Sequence, residues 1–78
     1  MKVYVSLSAV SLLNGKFLPR FQFIETQGAD TTFTPYEMSI ESACNSEEEA
    51  LKHAEIHASR QAVKDYGQNI ELFIKREN

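Results

Sequence analysis

Between Ser46 and Tyr66 alanine recurs at every fourth position, at Ala50, Ala54, Ala58 and Ala62. At about 100° per residue these four drift slowly around a helix and form one ridge of small side chains, with Leu51 and Tyr66 on its flank. A ridge of methyl groups lets a helix lie close against whatever it packs on. The opposite side carries His53, His57, Arg60 and Lys64, so the two faces differ in chemistry. Ser46 followed three residues later by Glu49 makes a capping box, and Glu47 and Glu48 put negative charge at the positive end of the helix dipole. Gly67, just past Tyr66, is the expected left-handed stop. The rest of the chain must supply the surface on which this helix lies.

Val3, Val5 and Leu7 alternate with Tyr4, Ser6 and Ser8, the period-two signature of a strand with one buried face. Asn14-Gly15 predicts a tight hairpin into a second strand from Lys16 to about Thr26, with Phe17, Phe21 and Phe23 on one side. A two-residue turn there would set Val5 opposite Ile24 and Ser6 opposite Phe23, separating the valines from the aromatics. One extra residue in either strand restores a shared face, and Pro19 is the expected place for that bulge or for an edge. Residues 27 to 32 read as a polar loop. In the third strand Tyr36, Met38 and Ile40 alternate with Glu37, Ser39 and Glu41, with Pro35 where pairing starts or at an edge and Cys44 near the strand's end. After the helix, Ile70, Leu72 and Ile74 alternate with Glu71, Phe73 and Lys75, and residues 75 to 78 are expected to fray.

The predicted fold is therefore a single small α+β domain over residues 1–78, β-β-β-α-β. An antiparallel three-stranded meander is joined by a fourth strand parallel to the first, giving the order 3-2-1-4 through a right-handed crossover. The helix covers one face with its alanines inward. On the other face Tyr4, Ser6, Glu37, Glu41, Glu71 and Phe73 meet solvent or a partner.

A chain of 78 residues buries about 60% of the surface its unfolded form exposes. Its folding free energy is then on the order of 4–12 kcal/mol, and self-association is a natural source of more. Net charge is −3, with both signs spread over both halves. That balance makes nucleic acid a poor candidate partner, since non-specific binding needs clustered Lys and Arg. The run Val3 to Leu13 is interrupted by serines and followed by no Ala-x-Ala site, which argues against a secretory leader, and no stretch approaches the length of a membrane span. A single cysteine fits a reducing, cytoplasmic setting.

At Ser46-Glu47-Glu48-Glu49-Ala50-Leu51 with Ala54 and Ala58, following a strand that ends near Cys44, the chain resembles the small HicB-type antitoxin domain. The resemblance implies a three-strand, helix, strand core, a cut-down ribonuclease H fold, and a regulatory role. Between its second and third strands this chain has Thr26-Gln27-Gly28-Ala29-Asp30 where that family usually has a Pro-Asp-Leu-Pro-Gly-like segment.

Four features carry candidate chemistry. Glu49, His53 and His57 stand one helical turn apart, a spacing that can hold a divalent metal, but the acid of His-Ala-Glu-Ile-His is displaced from the zinc-protease pattern and solvated side chains are the simpler reading. No metal or other cofactor is expected. His53, His57, Arg60 and Lys64 form a basic stripe that reads either as a solvated helix side or as a contact for an acidic protein or a phosphate backbone. Cys44 is either packed in the strand-to-helix joint or activated by the helix terminus. Ile56, Val63 and Phe73 are either wrapped by a twisted sheet, leaving Phe73 exposed alone, or belong to an interaction surface, for example a homodimer through an edge strand or a helix side. With no glycine-rich phosphate loop and no nucleophile beside a base, an enzyme is not expected. The reading is a small binding or regulatory domain acting through contacts with another protein or a second copy. A nucleic-acid-associated regulator using the basic stripe is the alternative.

Overall fold

The computed structural model describes residues 2–77. In chain order they form β1 (Lys2–Ser11), β2 (Phe17–Gln27), β3 (Asp30–Glu37), a 3-10 turn at Ile40–Ser42, α1 (Glu47–Tyr66) and β4 (Glu71–Arg76). The four strands make one sheet in the order β3-β2-β1-β4, with β4 parallel to β1 and the other pairs antiparallel. This is the topology that the meander and the single helix imply.

The first hairpin resolves the register conflict in its turn. Gly15 donates to the Leu12 carbonyl at 3.1 Å and has φ 81°, while the Leu12 N–H reaches Lys16 at 2.8 Å. The loop is thus one residue longer than the Asn-Gly pair suggests, with glycine at the position that needs positive φ. The Asn14 side chain fixes it by accepting from the Lys16 N–H at 3.0 Å. Val5 consequently faces Phe23 and Leu7 faces Phe21. Pro19 makes no bulge, because pairing runs unbroken through Ala9 and Pro19.

Pro19 acts instead on the other side of its strand. Phe17 and Cys44 exchange backbone hydrogen bonds at 2.9 and 2.7 Å, and strand backbone direction repeats every second residue, so the missing N–H of Pro19 also faces the β3 side. Continuing the β2–β3 register past Arg20 and Glu37 would put Met38 opposite that vacancy. There the third strand leaves the sheet. Ile40 and Glu41, expected in the strand, lie in the 3-10 turn, and the chain returns to the sheet only for the bridge at Cys44. At its other end β3 starts earlier than the composition suggests. The connection shrinks to Gly28-Ala29, with Gly28 at φ 60°, and Asp30, Thr31 and Thr32 pair with β2. Pro35 lies on an edge strand, as expected.

Helix α1 begins as the capping box requires, with the Ser46 hydroxyl accepting from the Glu49 N–H at 3.1 Å. It stops at Gly67, whose N–H bonds the Val63 carbonyl. Ala50, Leu51, Ala54, Ala58 and Ala62 are its buried residues, the last four packed in one cluster with Val3, Val5, Leu7, Phe21 and Phe23. Replacing Ser46 by alanine is expected to cost about 1 kcal/mol. In a chain of this size that is a fall of roughly 4–8 °C in Tm, read by thermal circular dichroism.

The C-terminal segment is held rather than frayed. The Glu77 N–H bonds the Leu7 carbonyl at 2.7 Å, and Arg76 clamps both carboxylate oxygens of Glu48 at 2.9 and 3.0 Å. Asn78, also expected to fray, lies outside the described residues.

Candidate interaction surfaces

The stripe residues His57, Arg60 and Lys64 do not lie opposite the alanine ridge. They occupy the flank beside β3, where His57, Arg60, Gln61 and Lys64 form one wall of a groove of about 260 Å³. Phe21, Tyr36, Glu37 and Met38 form the other wall. His53 is exposed one turn away and does not line it. The groove is held by two phenols. The Tyr36 hydroxyl donates to Asp65 at 2.6 Å, and Gln61 donates to the same carboxylate at 2.9 Å. The Tyr66 hydroxyl donates to Glu25 while its ring meets Phe23 edge-on. The Asp65 carboxylate raises the Tyr36 pKa, and burial followed by the Glu25 carboxylate raises that of Tyr66. Both remain donors across the neutral range and tie the end of α1 to β3 and β2. Glu37 lines the groove opposite His57, Arg60 and Lys64 and lies 4.0 Å from Arg20 of β2, while Asp65 takes the hydrogen bonds of Tyr36 and Gln61.

Cys44 is buried, with its thiol directed at the Ser42 carbonyl at 3.5 Å. Burial, and secondarily Glu49, push its pKa up, so the helix terminus does not activate it. Among the described residues no three or more His, Cys, Asp or Glu side chains are grouped to hold a metal ion. No described helix is long and apolar enough to cross a membrane.

The apolar candidates separate onto two surfaces. Ile56 and Val63 stand on the outer side of α1, 50% and 44% exposed, so the sheet does not wrap around to bury them. Phe73 is on the far face of the sheet, and it is not alone. Its ring stacks on Tyr4 with centroids 5.2 Å apart, and the Lys2 ammonium lies over it 6.0 Å from the centroid. The strand pairings continue this contact across the sheet, since Tyr4 faces Phe73 on β4 and Ile24 on β2, and Ile24 faces Phe33 on β3. Phe33, Ile24, Tyr4 and Phe73 therefore form one cross-strand row on the face that α1 leaves open. Phe33, Tyr4 and Phe73 are each more than 40% exposed. Tyr4, Ile24 and Phe73 also line a depression of about 430 Å³, rimmed by Ser6, Thr26 and Lys75.

Phe33 and Ile24 are the residues that sequence reasoning missed. Each has the even or odd parity of the open face, but only the three-residue hairpin loop and the Gly28-Ala29 turn bring them level with Tyr4. No family model, no curated protein and no solved structure matches this chain.

Proposed function

We propose that this chain is a small, non-catalytic binding and regulatory domain, built on the plan of the HicB-type antitoxin domains, that acts in the cytoplasm by presenting its open sheet face to another protein. The observation that carries this reading is the row Phe33, Ile24, Tyr4 and Phe73 across all four strands. A sheet face meeting only water alternates to polar side chains, whereas aromatic residues are concentrated in protein contacts. The buried Cys44, its thiol pKa pushed up, and the acidic Glu37 in the wall of the basic groove favour contact over chemistry and over phosphate binding.

The test compares affinity capture by the wild-type chain, an Ile24→Ser/Phe33→Ser variant and an Arg60→Glu/Lys64→Glu variant, using extract of the native host. A protein held by the wild type and by the helix variant, but at least about tenfold less by the sheet-face variant, is the expected result. Equal retention by the sheet-face variant overturns the reading. Loss confined to the helix variant moves the contact to the groove and also overturns it.

A further inference from the structure

The two edges of the sheet are not equivalent. On β3 the residues whose backbone points away from β2 are Thr31, Phe33, Pro35 and Glu37, the alternates of those bonded to Phe21, Phe23 and Glu25. Pro35 removes an N–H from the middle of that edge, a common way of preventing strand addition. On β4 the Glu77 N–H bonds the Leu7 carbonyl, so the odd-numbered residues face β1. Leu72, Ile74 and Arg76 then direct N–H and C=O outward with no proline among them. This edge is apolar on both sides, with Phe73 42% exposed on the open face and Ile74 38% exposed on the helix face.

From this geometry we infer that the β4 edge is a homodimer interface. Two copies pair antiparallel about a twofold axis at Phe73 and join their sheets into one. The charge pattern selects both the occupant and the register. Glu71, Phe73 and Lys75 share one face, acidic at the start and basic at the end, so antiparallel self-pairing centred on Phe73 sets Glu71 of each copy against Lys75 of the other. On the opposite face Leu72 meets Ile74. These two residues are also the ones whose outward backbone groups must exchange hydrogen bonds, so side-chain and backbone requirements agree in this register. Moving the axis to Leu72 sets Glu71 against Phe73, and moving it to Ile74 sets Glu71 against Glu77. Only the Phe73-centred arrangement pairs opposite charges and like apolar groups together.

The dimer does not rest on the binding role proposed above. Edge pairing leaves Ile24 and Phe33 uncovered and makes the aromatic row continuous through both copies, so the two ideas fail separately.

Sedimentation equilibrium of the wild-type chain at high micromolar concentration is expected to give twice the 8.9 kDa chain mass. A monomer there overturns the proposal. Glu71→Lys and Lys75→Glu each create like-charge pairs at both ends and are expected to weaken association about tenfold or more. Mixing the two variants restores opposite pairs at both ends and is expected to restore the dimer. Variants that dimerise like the wild type, or a mixture that stays monomeric, overturn it. Ile74→Pro removes an outward N–H without touching the bonds to β1, and is expected to give a monomer with an unchanged circular dichroism spectrum. Should that variant fail to fold, the charge-swapped mixture still decides.

Discussion

Phe23→Ala is expected to remove about 3–5 kcal/mol of stability, against roughly 4–12 kcal/mol for a chain of this length. Phe23 is fully buried and lies at the centre of the aromatic cluster, 5.6 Å from Phe21, 5.4 Å from Tyr36 and 5.5 Å from Tyr66 by ring centroids. Removing its ring takes a partner from Phe21 on β2, from Tyr36 on β3 and from the Tyr66 contact that docks the end of α1. A small domain has no second core to compensate. Urea denaturation followed by circular dichroism reads the loss, with Phe33→Ala as the comparison. Phe33 is an aromatic residue of the same sheet on its open face, 57% exposed, and its replacement is expected to cost about 1 kcal/mol or less. Equal losses in the two variants would mean that the faces of β2 and β3 have been assigned the wrong way round.

That contrast also marks how far the residues alone could be read. The helix was legible because its signals are local and agree: the alanine period, the Ser46 cap with its acidic first turn, and Gly67 all fall within one segment. The sheet order followed from connection lengths and from the single crossover. The positions of Phe33 and Ile24 did not follow, because a cross-strand row depends on the register of every pairing at once. One extra residue in the Leu12 to Lys16 loop shifts Ile24 from opposite Val5 to opposite Tyr4. The end of β3 was hidden for a related reason. Met38 and Ile40 continue an apolar alternation that favours a strand, and what stops it is a missing N–H on Pro19, nineteen residues upstream on the neighbouring strand. Pattern within a segment reports its faces; where a strand stops depends on its neighbour. The basic stripe was found by residue type, but the acidic Glu37 facing it across the groove comes from β3 and shows only once β3 lies beside α1.

Ala58→Leu is expected to destabilise the chain by about 1–3 kcal/mol although it adds hydrophobic surface and keeps a strong helix former. Ala58 is completely buried at the middle of the ridge, where the helix meets the sheet through the methyl groups of Ala54, Ala58 and Ala62, with Leu51 and Tyr66 beside them. A leucine at this fully buried position overpacks the contact and must push α1 away from the sheet. Lifting it pulls on the Tyr36 to Asp65 and Tyr66 to Glu25 hydrogen bonds, which join the helix end to β3 and β2. The variant is therefore expected to lose near-ultraviolet tyrosine dichroism before it loses helical signal. Lys52→Leu, on the exposed side of the same helix, likewise adds hydrophobic surface and keeps a strong helix former without entering the core, and is expected to stay within about 0.5 kcal/mol of the wild type. The difference between the two isolates the packing distance between helix and sheet from every local property of the helix. If Ala58→Leu were as well tolerated as Lys52→Leu, the small residues would not be setting that distance, and the four-residue alanine period would be helix propensity with no role in how the fold closes.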